Sequence, residues 1–226
     1  MTGRIHGIVL AGGESRRMGR DKALVRLDGL RLVDRTVARL VPQVAALAVS
    51  RHAGGLDGLP PGVALVTDGA GAHAGPLAGL LAGLDWVAAR DPAATHAVTV
   101  PVDAPLLPDD LVARLSEARA AAGADAAVAL SGDRRHSVTA LWPVSAREAL
   151  RAALEGEGLR RVGVFLDRLG PAEARWPCEP HDPFLNVNQP EDLAAAEAAL
   201  RAIRDRTATG TGAARRHLVG FGPRPA

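Results

Sequence analysis

Short apolar runs alternate with segments of helical spacing along most of the chain. Residues 5–11 (IHGIVLA), 44–49, 63–66 and 96–102 are apolar, bounded by polar or Gly/Pro positions, and too short for surface helices, so they predict buried strands. Between them, 32–41 places Leu32, Val33, Thr36, Val37 and Leu40 on one helical face, with Pro42 to end it. Residues 75–89 predict a helix with Pro76 in its first turn, and 108–121 an amphipathic helix with Asp109 and Asp110 at its start. Residues 23–27 read as a short extended piece turning at Asp28-Gly29, and the Gly/Pro-rich 52–62 as a loop or short helix.

The second half is less regular. Residues 124–130 and 138–142 predict strands around a polar turn at 131–137, and 175–177 a short strand. Helices are expected from Ser145, as a cap, to about 155, over 162–169, and over 190–206 behind Pro190 and two acids. From Thr207 the periodicity is lost, which predicts one domain over 1–206 and a disordered tail over 207–226. Strands alternating with helices give an α/β fold, Rossmann-like and doubly wound, with a mostly parallel sheet covered on both faces. Ligands in such folds sit beyond the carboxyl ends of the strands, here near Gly12-Gly13, Asp68 and Asp103.

Composition narrows the function classes. A length of 226 residues suits one domain with a full core. A net charge of +2, with basic residues spread rather than striped, argues against nucleic-acid binding. The single cysteine, Cys178, allows no internal disulfide and no zinc spacing. The first apolar run is too short for a signal peptide, and no stretch approaches a membrane span, so the expectation is a soluble, cytoplasmic protein.

The chemistry concentrates in residues 8–24, IVLAGGESRRMGRDKAL. Gly12 and Gly13 allow the backbone a close approach that a side chain would block. A strand running into such a turn can point its N–H groups at a phosphate. Arg16, Arg17 and Arg20 add planar donor forks, and Lys22 a compact charge. Lys22 is the only lysine among 27 lysines and arginines, and Asn186 and Asn188 are the only asparagines. In a chain that has shed these residue types, the survivors are marked as functional.

The pattern LAGG-x-S-x-RMG-x-DKAL resembles the start of the molybdenum cofactor guanylyltransferases, within the nucleotide-diphosphosugar-type nucleotidyltransferases. The resemblance extends over residues 5–200. It implies that Leu10, Ala11, Gly12 and Gly13 hold GTP, and that LAGG rather than LAAG favours guanine over cytosine. It also implies that Lys22 and Arg17 stabilise the phosphates.

Asp103, in VTVPVDAPLLP, ends a strand between prolines. By itself it reads equally as a turn acid or as a Mg²⁺ ligand; the resemblance to the family's D-x-P motif implies the ligand. Asp68 before GPLAG matches an aspartate that contacts GTP. Ser50 stands where the family often has a GTP-binding Asn, and offers one hydroxyl instead of an amide. His136 in RRHSVTALW resembles an H-P-x-x-A-L segment, with Ser137 in place of proline. Arg160 and Arg161 match a family double-arginine suited to an acceptor phosphate. Asn186 and Asn188 in FLNVNQPEDL match the closing N-x-N-T-P-E-D-L, with Gln189 in place of Thr.

The resemblance therefore implies GMP transfer from GTP to molybdopterin, with Mg²⁺ as cofactor, both substrates being small molecules. Transient contact with molybdoenzymes or other cofactor-assembly proteins is compatible with it; no nucleic-acid or membrane partner is expected. Catalysis is assigned to Lys22, Arg17 and Asp103. Alternatives are a relative using CTP or a sugar phosphate, and a non-catalytic GTP-binding module. A Rossmann-type dehydrogenase is disfavoured, because the first turn lacks G-x-G-x-x-G.

Overall fold

The computed structural model describes residues 4–12, 21–52, 55–67 and 75–216, with side chains as far as Arg206. Gly13, Arg16, Arg17, Arg20 and Asp68 lie outside the described residues. The order of elements is β1 (His6–Leu10), a 3₁₀ turn at Lys22–Leu24, β2 (Arg26–Leu27), β3 (Leu30–Arg31), α1 (Leu32–Leu40), β4 (Leu47–Arg51), β5 (Val63–Thr67), α2 (Gly75–Arg90), β6 (His96–Pro101) and α3 (Leu111–Ala122). There follow β7 (Ala127–Ser131), β8 (Arg134–Pro143), α4 (Arg147–Glu155), α5 (Val162–Asp167), β9 (Ala172–Trp176) and α6 (Pro190–Arg216).

The main sheet has seven strands in the order β5-β4-β1-β6-β8-β7-β9. Every neighbouring pair is parallel except the two made by β8, which runs antiparallel to both β6 and β7. The chain winds outward from β1 through β4 to β5, then returns through α2 to β6 on the other side of β1. That reversal opens a crevice beyond the carboxyl ends of β1 and β6.

The two-residue period of β1 explains why helices cover both faces. Val9 packs with Val33, Val37 and Leu40 of α1 and Leu111 and Leu115 of α3. Its neighbours Ile8 and Leu10 point the other way, against Leu77, Leu80 and Leu84 of α2 and the α4–α5 layer. All but Leu10 among these are at most 1% exposed, and each such side chain contributes about 1.5–3 kcal/mol. A third cluster seats Ala196, Ala199 and Leu200 of α6 on Leu27, Leu32, Leu106 and Val187. This cluster carries the Asn186–Asn188 segment back to the crevice.

Several local expectations shift. The Asp28-Gly29 turn is present, with φ of 48° and 80°, and closes the β2–β3 hairpin. The second strand starts at Leu47, because Val41–Gln43 adds a 3₁₀ turn at Pro42. The polar turn expected at 131–137 shrinks, since β8 already begins at Arg134. Ser145 is no cap: it sits inside a 3₁₀ turn, and Ala146 precedes α4 with no side-chain cap. The backbone of α6 runs to Arg216, through residues expected to belong to a tail. Residues 217–226 lie outside the described residues.

Candidate active site

The crevice holds a cavity of about 350 Å³. The end of β1 contributes Leu10, Ala11 and Gly12, the 3₁₀ turn contributes Lys22, and α2 contributes Pro76. The end of β6 gives Pro101–Asp103, the amino end of β8 gives 134–139, and the segment before α6 gives Asn186.

Backbone bonds fix the floor. The Val102 N–H donates to the Leu10 carbonyl at 3.1 Å, and the Ala11 N–H to the Ser50 carbonyl at 2.8 Å. Thr36 Oγ1 on α1 donates to the Val102 carbonyl at 3.2 Å. The Asp103 carbonyl accepts the Val187 N–H at 2.8 Å, which ties the two-asparagine segment to the β6 end.

On that floor Lys22 Nζ donates to Asp103 Oδ2 at 2.8 Å and to Asn188 Oδ1. Three segments far apart in sequence thus meet at one ammonium. An ammonium has three donors, of which these two are engaged among the described residues. The other Asp103 oxygen, Oδ1, is buried and has no partner among the described residues. Burying a carboxylate oxygen unpaired is costly, and a hard cation relieves that cost. No group of three or more His, Cys, Asp or Glu converges among the described residues. An ion at Asp103 would therefore be completed by phosphate and water oxygens, as suits Mg²⁺.

Supports that the sequence did not single out hold this arrangement. Asp21 accepts the Ala23 N–H at 3.0 Å, capping the turn that carries Lys22, and binds Arg51 of β4 at 2.6 Å. Asp192, in the first turn of α6, accepts the N–H groups of Asn188 at 2.8 Å and Gln189 at 3.0 Å. Its place three residues after Gln189 is the capping-box spacing, a signal in the sequence beside the PEDL motif that contains it.

Other expected residues separate. His136 lines the cavity but is buried; its Nε2 lies 2.7 Å from Ser131 Oγ and its ring 4.7 Å from that of Phe184. Burial pushes its imidazole below the usual histidine range, so it is neutral near pH 7. Ser50 is buried outside the cavity lining, and its hydroxyl has no partner among the described residues. Arg160 and Arg161 are exposed and do not line the cavity; Arg160 donates to the carbonyls of Leu154 and Leu159. The cations that do line it beside His136 are Arg134 and Arg135.

A strand end at Gly12, a Lys–Asp–Asn junction and a carboxylate oxygen without a partner among the described residues suit the binding of a nucleoside triphosphate. Residues 7–169 match the family model described as the MobA-like NTP transferase domain. The chain belongs to the MobA-like NTP transferase family. Among its relatives, a Bradyrhizobium protein named molybdenum cofactor guanylyltransferase is 45% identical over 208 residues, covering 92% of this chain and 98% of the relative. A Rhodopseudomonas palustris protein of the same name is 47% identical over 191 residues, covering 84% and 89%. Solved structures place this NTP transferase's fold beside molybdopterin-guanine dinucleotide biosynthesis protein A from Archaeoglobus fulgidus, with TM-score 0.66, 23% identity, and 88% and 100% coverage. The 2-C-methyl-D-erythritol 4-phosphate cytidylyltransferase of Thermus thermophilus has a similar fold, with TM-score 0.62, 20% identity, and 86% and 98% coverage.

Proposed function

We propose that the protein transfers GMP from GTP to molybdopterin, giving molybdopterin guanine dinucleotide and pyrophosphate. The relatives' names support the substrates, and one observation supports the site: Lys22 joins Asp103 and Asn188 at the cavity.

The phosphate oxygen of the acceptor attacks the α-phosphorus, a new P–O–P linkage forms, and the bond to the β-phosphate breaks. Pyrophosphate leaves with the electron pair. Both reactants are anions, so the protein's task is positioning and charge neutralisation. The backbone at Leu10–Gly12, continued by Gly13, cradles the nucleotide phosphates. Lys22 turns its remaining donor to them, and Arg17 adds a second cation. Asp68 contacts the nucleoside, while Asn186 and Asn188 border the acceptor. Asp103 would hold Mg²⁺ through Oδ1; bound there, the ion would neutralise phosphate charge. The protein works in the cytoplasm on two small molecules, and contact with the enzymes that receive the product is transient.

The test is pyrophosphate release from GTP, CTP, ATP and UTP with Mg²⁺, with and without molybdopterin. Release from GTP alone, and only with molybdopterin, is expected. Lys22→Met and Asp103→Asn should each lower the rate on the order of 10²-fold or more, as for other charge-stabilising groups. Release from CTP instead would overturn the base assignment. Rates within about twofold of the unsubstituted chain in both variants would overturn the residue assignment.

A further inference from the structure

The strand that breaks the parallel order also breaks its own register. Along the β7–β8 pair, Val128 faces Ala140 while Ala129 faces His136, so 137–139 of β8 have no counterpart on β7. This wide bulge is pinned from β6, where Thr99 Oγ1 donates to the Val138 carbonyl at 2.6 Å. Such a bulge bends the strand and re-aims its side chains. Here it turns 134–139 into the cavity wall. Because β8 neighbours β6 on the side away from β1, this wall faces Gly12 and Lys22 across the β6 end.

Arg135 is the notable member of that wall. Its NH1 donates to Asp167 Oδ1 of α5 at 2.6 Å, which tethers one end of the guanidinium. Its Nε is buried and has no partner among the described residues. An unpaired donor on a charged, oriented group is costly to keep unless something supplies the acceptor. The neighbouring His136 is poorly suited to supply the positive charge, since its ring is buried between Ser131 and Phe184, where burial disfavours the imidazolium.

We propose that Arg135, aimed by the β8 bulge and held by Asp167, anchors the terminal phosphate of the acceptor opposite the GTP-binding turn. A phosphate monoester carries nearly two negative charges at neutral pH, and a guanidinium edge fits its oxygens with two parallel N–H donors. Arg135 then does the work that the sequence assigns to Arg160 and Arg161. Asp167 is a positioning residue that acts through Arg135. The inference rests on the nucleotidyl-transfer reading above.

The experiment compares Arg135→Gln, Arg135→Lys and Asp167→Asn for the KM of molybdopterin and of GTP, and for retention of molybdopterin by the chain in ultrafiltration without GTP. Arg135→Gln should raise the molybdopterin KM by about tenfold or more, as for a lost charge-assisted hydrogen bond, with the GTP KM held within about twofold. Arg135→Lys should restore only part of the loss, because an ammonium lacks the fork. Asp167→Asn should raise the molybdopterin KM a few-fold with kcat unchanged. Retention should fall in the same order. A molybdopterin KM unchanged in both Arg135 variants, with normal turnover, overturns the anchor and leaves the reaction intact. No turnover by the unsubstituted chain, with retention still dependent on Arg135, overturns the reaction and leaves the anchor. Arg135→Lys keeps the charge, so it decides the matter if Arg135→Gln fails to bind GTP.

Discussion

Lys22, in its 3₁₀ turn, and Ser50, on β4, show how differently two polar residues near the crevice are used. Lys22 is part-buried and has two partners drawn from residues 81 and 166 positions away. Ser50 is 1% exposed, and its Oγ has no partner among the described residues. A desolvated, unpaired hydroxyl costs about 1–3 kcal/mol. Ser50→Ala should therefore leave the thermal midpoint equal or higher, and the KM for GTP within about twofold. Thermal melts and a GTP titration check this; a several-fold rise in KM would mean that the nucleotide supplies the missing partner. Lys22, Asp103 and Asn188 were legible in the sequence because scarcity marked the lysine and asparagine and a strand end marked the aspartate. Arg135 and Asp167 were not, since they meet only through the fold, 32 positions apart.

At the scale of elements, α2 and β1 form a tight joint. Gly83 of α2 faces Ile8, and a Cβ added there would lie 2.6 Å from Ile8 Cδ1, 2.7 Å from Cγ2 and 2.9 Å from Cγ1. Ile8 is fully buried and β-branched, so its side chain has no easy retreat. Helix propensity favours alanine over glycine by about 1 kcal/mol. Overpacking costs about 1–3 kcal/mol and should win here. Gly83→Ala should lower stability in urea melts, against the propensity scale; a stabilised variant would show that α2 can slide away from β1. The parallel strands and their helices were legible because a strand buried on both faces is apolar throughout. The amino half of β8 was not: Arg134–Ser137 read as a turn because a cavity wall is polar on a strand that periodicity expects to be apolar. The bulge leaves no mark in hydrophobic spacing at all.

Across the whole molecule, acid sensitivity near neutral pH should come from histidines. His96, His136 and His181 all have pKa values lowered from the usual histidine range, in each case chiefly by burial. For His136, Arg134 lowers it further, while Asp182 pulls it back. The lowered carboxylates, Asp28, Asp91 and Glu157, titrate below their ordinary values, so their stabilisation is lost only below about pH 4. Between pH 7 and pH 5 the sign follows from the histidines. A histidine whose folded pKa is depressed binds fewer protons folded than unfolded in this window, so stability rises with pH. Its contribution is present above the unfolded value of about 6.5 and is lost as pH falls through the folded pKa. The thermal midpoint should therefore drop from pH 7 to pH 5 at constant ionic strength. His136→Gln offers an amide where the ring nitrogen meets Ser131 but cannot titrate. It should melt lower at pH 7, because the contact with Phe184 is lost, yet show a shallower fall towards pH 5. Melting curves of the two proteins over that range test the account, and equal slopes would remove His136 from it. The same neutrality leaves charge recognition in the cavity wall to Arg134 and Arg135.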